Sequence, residues 1–177
     1  MNKPPPSQNS KVVLISPQSA ADFATLRSLL QEYADSIDAV ACFENFEAEL
    51  RDLPGDYAAP RGHLLLASVD GEWAGCCALR PLDNADYPNA CEMKRLFVQP
   101  RCRAKGVGRL LAQAMLDFAH LHDYSCVLLD TLSDMETARA LYQELGFSEI
   151  PPYHFNPIPG AHYLKACLLY TSPSPRD

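Results

Sequence analysis

No apolar run in this chain approaches the roughly 20 residues that a membrane-spanning helix needs; the longest are fragments such as Leu64-Leu65-Leu66-Ala67. The opening MNKPPPSQNS has one lysine and no apolar core, so it does not read as a secretory signal. There is no Cys-x-x-Cys and no His-Glu-x-x-His, and His120 and His122, two apart, would point to different faces of a helix. No metal is therefore expected. Seven cysteines (42, 76, 77, 91, 102, 126, 167) are an odd number in no bridge or ligand pattern, and most lie in apolar stretches. They read as small buried hydrophobes in a reducing cytosol, which makes a cytoplasmic location the expectation. With only eight glycines, none falls in Gly-x-x-x-x-Gly-Lys-Ser/Thr, which excludes a P-loop. Basic residues are also short, 15 against 22 acidic, for a net charge of −7. That balance argues against general affinity for nucleic acid or an anionic membrane.

What is present is ordinary for a globular protein: 47% hydrophobic and 21% charged residues, enough for a sizeable core. At 177 residues the expectation is one domain over 11–168, flanked by a tail at 1–10 and another at 169–177. Prolines mark both tails, and the YTSPSPRD ending reads as non-native. A third proline cluster, 151–159, lies between periodic segments and reads as a stiff loop.

Periodicity divides the interior. Strands are expected at 11–16, 63–69, 72–82, 91–98, 125–130, 147–150 and 161–168. Asp70-Gly71 joins the second and third as a two-residue hairpin. Helices are expected over 18–35, 43–53 and 106–122. In the last of these Val107, Leu110, Leu111, Ala114, Met115 and Phe118 form one apolar face. A further helix opens on the capping box Ser133-x-x-Glu136 and is stopped by Gly146. The order β-α-α-β-β-β-α-β-α-β-β predicts an α/β (α+β) fold with a mixed sheet flanked by helices.

Charge is not evenly spread. Residues 94–109, KRLFVQPRCRAKGVGR, hold six of the 15 basic residues and no acid, leaving 9 basic and 22 acidic residues elsewhere. The same segment runs from a strand through a loop with two glycines into a helix N-terminus. Unpaired backbone N–H groups and the positive helix end make such a junction an anion site. A dinucleotide fold fits poorly: Leu111 occupies the third glycine position, and seven residues including Pro100 separate Val98 from Gly106.

Val98-x-Pro100-x-x-Arg103-x-x-Gly106-x-Gly108 resembles the acetyl-CoA signature of the GNAT N-acetyltransferases. Ala138-Arg-Ala-Leu-Tyr142-x-x-Leu-Gly146-Phe147 resembles the same family's later helix and strand, and the element order matches from about Lys11 to Leu168. The resemblance implies a mostly antiparallel sheet and an acetyl-CoA-dependent transfer to a primary amine, by direct attack in a ternary complex. The amine would belong to a small molecule or to a larger one, with neither nucleic acid nor membrane as partner; a homodimer is compatible. It implies that the backbone of Arg103, Ala104, Lys105, Gly106, Val107, Gly108 and Arg109 holds the pyrophosphate. The strand edge at Phe97 and Val98 would pair with the pantetheine arm. It further implies Glu92 as general base and Tyr142 as the acid that protonates the departing sulfur. Met135, where the family often has Asn, is a further coenzyme-contacting position. Arg101, Lys105 and Arg109 are candidates for the ribose phosphate, and His154 for a substrate contact or proton relay. The acidic stretch 31–56 would favour a cationic amine if it faced the acceptor. A non-catalytic acyl-CoA-binding regulator on the same fold is the alternative.

Overall fold

In a computed structural model of the chain, residues 10–37, 45–83, 86–131, 136–154 and 160–168 are described. Seven strands form one sheet: β1 (Val12–Ile15), β2 (His63–Val69), β3 (Glu72–Leu82), β4 (Ala90–Val98), β5 (Cys126–Thr131), β6 (Phe147–Ile150) and β7 (His162–Cys167). Their spatial order is β1-β2-β3-β4-β5-β7-β6, with every neighbouring pair antiparallel except β4–β5. Helices α1 (Ala20–Ser36), α2 (Phe46–Arg51), α3 (Val107–Leu121) and α4 (Glu136–Glu144) connect them. The predicted fold class and element order hold. Asp70 and Gly71 both take positive φ, as a tight hairpin turn between β2 and β3 requires.

Both faces of the central strands are covered, which is why β2 reads as a continuous apolar run instead of an alternating one. Leu64 and Leu66 pack with Leu26, Leu29 and Leu30 of α1, while Leu65 and Ala67 pack with α3 on the other face. Helix α1 is opened by a capping box: the Ser19 hydroxyl accepts from Asp22 N–H, and the Asp22 carboxylate accepts from Ser19 N–H. In α3 the buried stripe is Val107, Leu111, Ala112, Met115, Leu116 and Ala119. The predicted face is therefore rotated: Leu110 is exposed, and Phe118 lies at the margin, stacked between His63 and His122. The small Ala112 and Ala119 let α3 lie close to the sheet, which apolar spacing alone does not reveal. Five of the cysteines (76, 77, 91, 102, 126) are buried thiols and Cys167 is an exposed one. Gly146 ends α4 at φ +95°, but the Ser133 cap lies outside the described residues, as do Cys42 and the tails. Among the described residues no helix is long and apolar enough to cross a membrane.

Candidate active site

The site is made by two strands that part. β4 and β5 pair only where Ala90, Cys91 and Glu92 face Cys126, Val127 and Leu128. Beyond that point β5 continues beside β7, and β4 continues beside β3 alone. The divergence coincides with a bulge: Arg95 and Leu96 together oppose Cys77, and Arg95 sits at φ +61°. A long side chain in that left-handed region costs roughly 1–2 kcal/mol. Arg95 is held there by a bidentate ion pair with Glu49 of α2 (3.0 and 3.1 Å) and by the Phe46 ring beneath its guanidinium. Burial alone would raise the Glu49 carboxyl, but Arg95 and the Tyr57 hydroxyl, which donates to it at 2.8 Å, hold it below its ordinary value. Across from the bulge, Gly75 is needed because a Cβ there would lie 2.4 Å from the Phe97 carbonyl oxygen. Phe97 and Val98 thus lie on a strand edge with an open side toward β5.

After β4 a 3-10 turn at Pro100–Cys102, pinned by buried Cys102, leads through Arg103–Gly106 into α3. Ala104 and Gly106 take positive φ, and no side chain caps α3, so its first N–H groups face outward from the loop. Gly108 has Val98 Cγ2 and Leu141 Cδ2 3.8 Å from where a Cβ would stand, which brings β4, α3 and α4 together at one point. The guanidiniums are less available than their sequence clustering implies. Arg101 binds Glu72 and the Trp73 carbonyl, Arg103 donates to the Val98 carbonyl at 3.2 Å, and Arg109 pairs with Glu144. Tyr142 of α4 is buried, edge-on to Phe147, and among the described residues its hydroxyl makes no hydrogen bond. Burial pushes its phenol well up, keeping it protonated. Met135 lies outside the described residues.

Glu92, at the last paired position of β4, is the one buried charged residue among those described. Its Oε1 accepts from Arg80 Nε at 2.9 Å and lies 2.8 Å from the same guanidinium's terminal nitrogen, with Lys94 Nζ 3.9 Å away. Its Oε2 accepts from the Tyr153 hydroxyl at 2.7 Å. His154 Nε2 lies 3.2 Å from Asp130 Oδ2 and 3.9 Å from Glu92 Oε2. Desolvation lowers the Lys94 amine and raises the Tyr153 phenol. The donor atoms of Glu92, Asp130 and His154 fall within 4.8 Å of one another, a spacing an ion could bridge. Arg80 and Lys94 against the same carboxylate oppose a second local cation there.

Sequence reasoning singled out Glu92 and raised His154 as a minor contact, but it did not connect Arg80, Asp130 or Tyr153 with them. Their shared signal is weak: single polar residues at strand ends and in a proline-rich loop, meeting only through the sheet. The acidic stretch is also partly neutralised. Glu49 is paired with Arg95, Glu32 accepts from the Gln99 amide at 2.8 Å, and Asp56 lies 4.0 Å from Arg80. Asp38 and Glu44 lie outside the described residues.

Comparison with known proteins agrees with this geometry. Residues 24–147 match the model of the acetyltransferase (GNAT) family. An uncharacterised N-acetyltransferase of Schizosaccharomyces pombe is 36% identical over 161 residues, spanning 90% of this chain and 95% of that protein. The N-acetylaspartate synthetase of Rattus norvegicus is 33% identical over 113 residues, 63% of this chain but only 37% of that protein. Among solved structures, a GNAT-family acetyltransferase of Staphylococcus aureus superposes with a TM-score of 0.72 at 18% identity, covering 89% of this chain and 99% of that one. An acetyltransferase of Salmonella typhimurium, solved with acetyl-CoA, gives 0.67 at 17% identity over 93% and 99%. An open strand edge, an uncapped helix behind a glycine loop and these matches together make the chain a member of the acetyltransferase (GNAT) family, an acyltransferase enzyme.

Proposed function

We propose that this protein moves the acetyl group of acetyl-CoA to a primary amine by direct attack in a ternary complex. The observation that carries the reading is the parting of β4 from β5 beside the uncapped start of α3. An extended, amide-bearing pantetheine chain can add to the edge at Phe97 and Val98 as a strand does. The backbone of Arg103, Ala104, Lys105, Gly106, Val107, Gly108 and Arg109 suits a pyrophosphate. Bound acetyl-CoA supplies an activated acyl carbon and a thiolate leaving group. The chain's part is to place a backbone N–H near Val98 against the carbonyl oxygen as charge develops on it. Tyr142 delivers a proton to the leaving sulfur, and the cluster of Glu92, Asp130 and His154 receives the proton of the amine.

Amino acids belong among the first acceptors to try, because relatives named as N-acetylaspartate synthetases share 113 aligned residues. Coenzyme A at about 100 times its dissociation constant is expected to stabilise the protein by about 2.7 kcal/mol, a rise in melting temperature of about 5–10 °C. Thiol release across an amine panel should then identify the acceptor. No thermal shift at millimolar coenzyme A would sink the reading. A shift without thiol release on any amine would favour a non-catalytic acyl-CoA-binding regulator.

A further inference from the structure

Glu92 is poorly placed to take a proton from an incoming amine. Its side chain is 1% exposed and both oxygens are occupied, one by the Arg80 guanidinium and the other by the Tyr153 hydroxyl. An amine proton would have to displace one of those donors to reach the carboxylate. His154, the chain neighbour of Tyr153, lies 3.9 Å from Glu92 and is far more open, its side chain 37% exposed. Its ring is fixed edge-on against Tyr153 and Tyr163, at centroid distances of 4.8 and 5.4 Å, and its carbonyl accepts from the Tyr163 hydroxyl at 3.0 Å. Nε2 faces Asp130 at 3.2 Å, with Glu92 at 3.9 Å behind. A buried carboxylate held by Arg80 and Tyr153, a second carboxylate against the ring and an accessible imidazole are the parts of a base with its orienting groups.

We propose that His154, oriented by Asp130, is the catalytic base that takes the proton from the acceptor amine, and that Glu92 is a positioning residue which fixes Arg80 and Tyr153 around it. This rests on the acetyl-transfer reading above. Asp130 faces the ring at Nε2 and balances the charge the imidazole gains when it takes the proton. The acceptor enters as an ammonium ion and gives one proton to His154. Its nitrogen then forms the C–N bond to the acetyl carbon while the C–S bond breaks. The electron pair leaves on sulfur, which takes the Tyr142 phenolic proton. The nitrogen's second surplus proton returns through water to the tyrosinate, and His154 gives its proton to solvent, so each turnover releases one proton. Among the described residues, the titratable groups against His154 are Asp130 on β5, Glu92 on β4, Tyr163 on β7 and Tyr153 in its own loop, with Arg80 on β3 and Lys94 on β4 charged against Glu92 behind them.

The test is kcat/KM for thiol release from acetyl-CoA between pH 5.5 and 9, using a primary amine from the panel above. His154→Gln is expected to lower it at least about tenfold near pH 6.5, with the deficit shrinking as pH rises and the amine loses its proton unaided. A purely structural role would depress all pH values alike, which would overturn the proposal. Asp130→Asn should act in the same direction, about threefold. Glu92→Gln should lower the melting temperature yet leave the acid limb of the profile at its wild-type pH. If the acid limb instead follows Glu92→Gln and is unmoved by His154→Gln, Glu92 is the base and the proposal fails while acetyl transfer stands. If the wild-type protein binds coenzyme A but releases no thiol with any amine, acetyl transfer itself is overturned and the proposal with it. Should His154→Gln lose its coenzyme A stabilisation, Asp130→Asn decides, and an unchanged pH dependence there counts against the proposal.

Discussion

Tyr142 shows how burial decides what a side chain can do. Its phenol is embedded among apolar neighbours on α4, which disfavours the phenolate and keeps the proton in place in the resting site. A departing thiolate is a weaker base than this phenolate, so the proton passes to sulfur only together with C–S cleavage and with return of the amine's surplus proton to the phenolic oxygen. Tyr142→Phe keeps the ring and its edge contact with Phe147 but has no proton to give. The expected outcome is a kcat lower by about ten- to a hundredfold with coenzyme A affinity changed less than about threefold, read by thiol release and by titration calorimetry. A tyrosine serving only to fill the core would leave both kcat and affinity nearly unchanged.

At the scale of elements, β4 is the strand the proposed function depends on, and it is irregular. One extra residue at the bulge turns the end of the strand away from β5, and the hairpin partner β3 accommodates the bend through Gly75. Gly75→Ala drives a methyl group into the Phe97 carbonyl, a backbone atom that cannot move without shifting the strand. A loss of about 2–4 kcal/mol is expected, seen as a reduced denaturation midpoint, together with weaker coenzyme A binding because the displaced edge is the one assigned to pantetheine. Gly71→Ala would be the control: its surroundings hold no atom within 4 Å of the new Cβ, so only its left-handed backbone is penalised and the coenzyme edge stays put.

For the whole molecule, a chain of net charge −7 has placed several of its acids where cations neutralise them. The Glu49–Arg95 pair joins α2 to β4 across the sheet, with Arg95 8% and Glu49 22% exposed. Since the folded state holds the Glu49 carboxyl below its ordinary value, its stabilisation is complete above the ordinary carboxylate range. It is lost as pH falls through the folded value. Glu49→Gln is therefore expected to melt about 5–10 °C lower at pH 7, where the Arg95 guanidinium loses its carboxylate, with the gap narrowing as pH falls from 5 toward 3. A gap that stays constant over that range would show that packing of α2, not its charge, makes the difference.

Local physics made much of this protein readable before folding. The Asp-Gly turn, the proline stops and the apolar periods fix the elements within a few residues, because each depends on neighbours in the chain. The junction from β4 into α3 was legible for the same reason: its basic residues, two glycines and helix start are contiguous. The rotated face of α3 was not, since it depends on how closely two alanines let the helix approach the sheet. Nor was the polar cluster around Glu92. Arg80, Glu92, Asp130, Tyr153 and His154 come from three strands and a loop, and pairing across the sheet alone brings them together. Sequence by itself determined a strand running through a basic, glycine-containing turn into a helix start, the junction proposed to hold the coenzyme. Only the tertiary structure decided which charges remain to do chemistry there, because a charge's availability depends on the partner that folding places beside it.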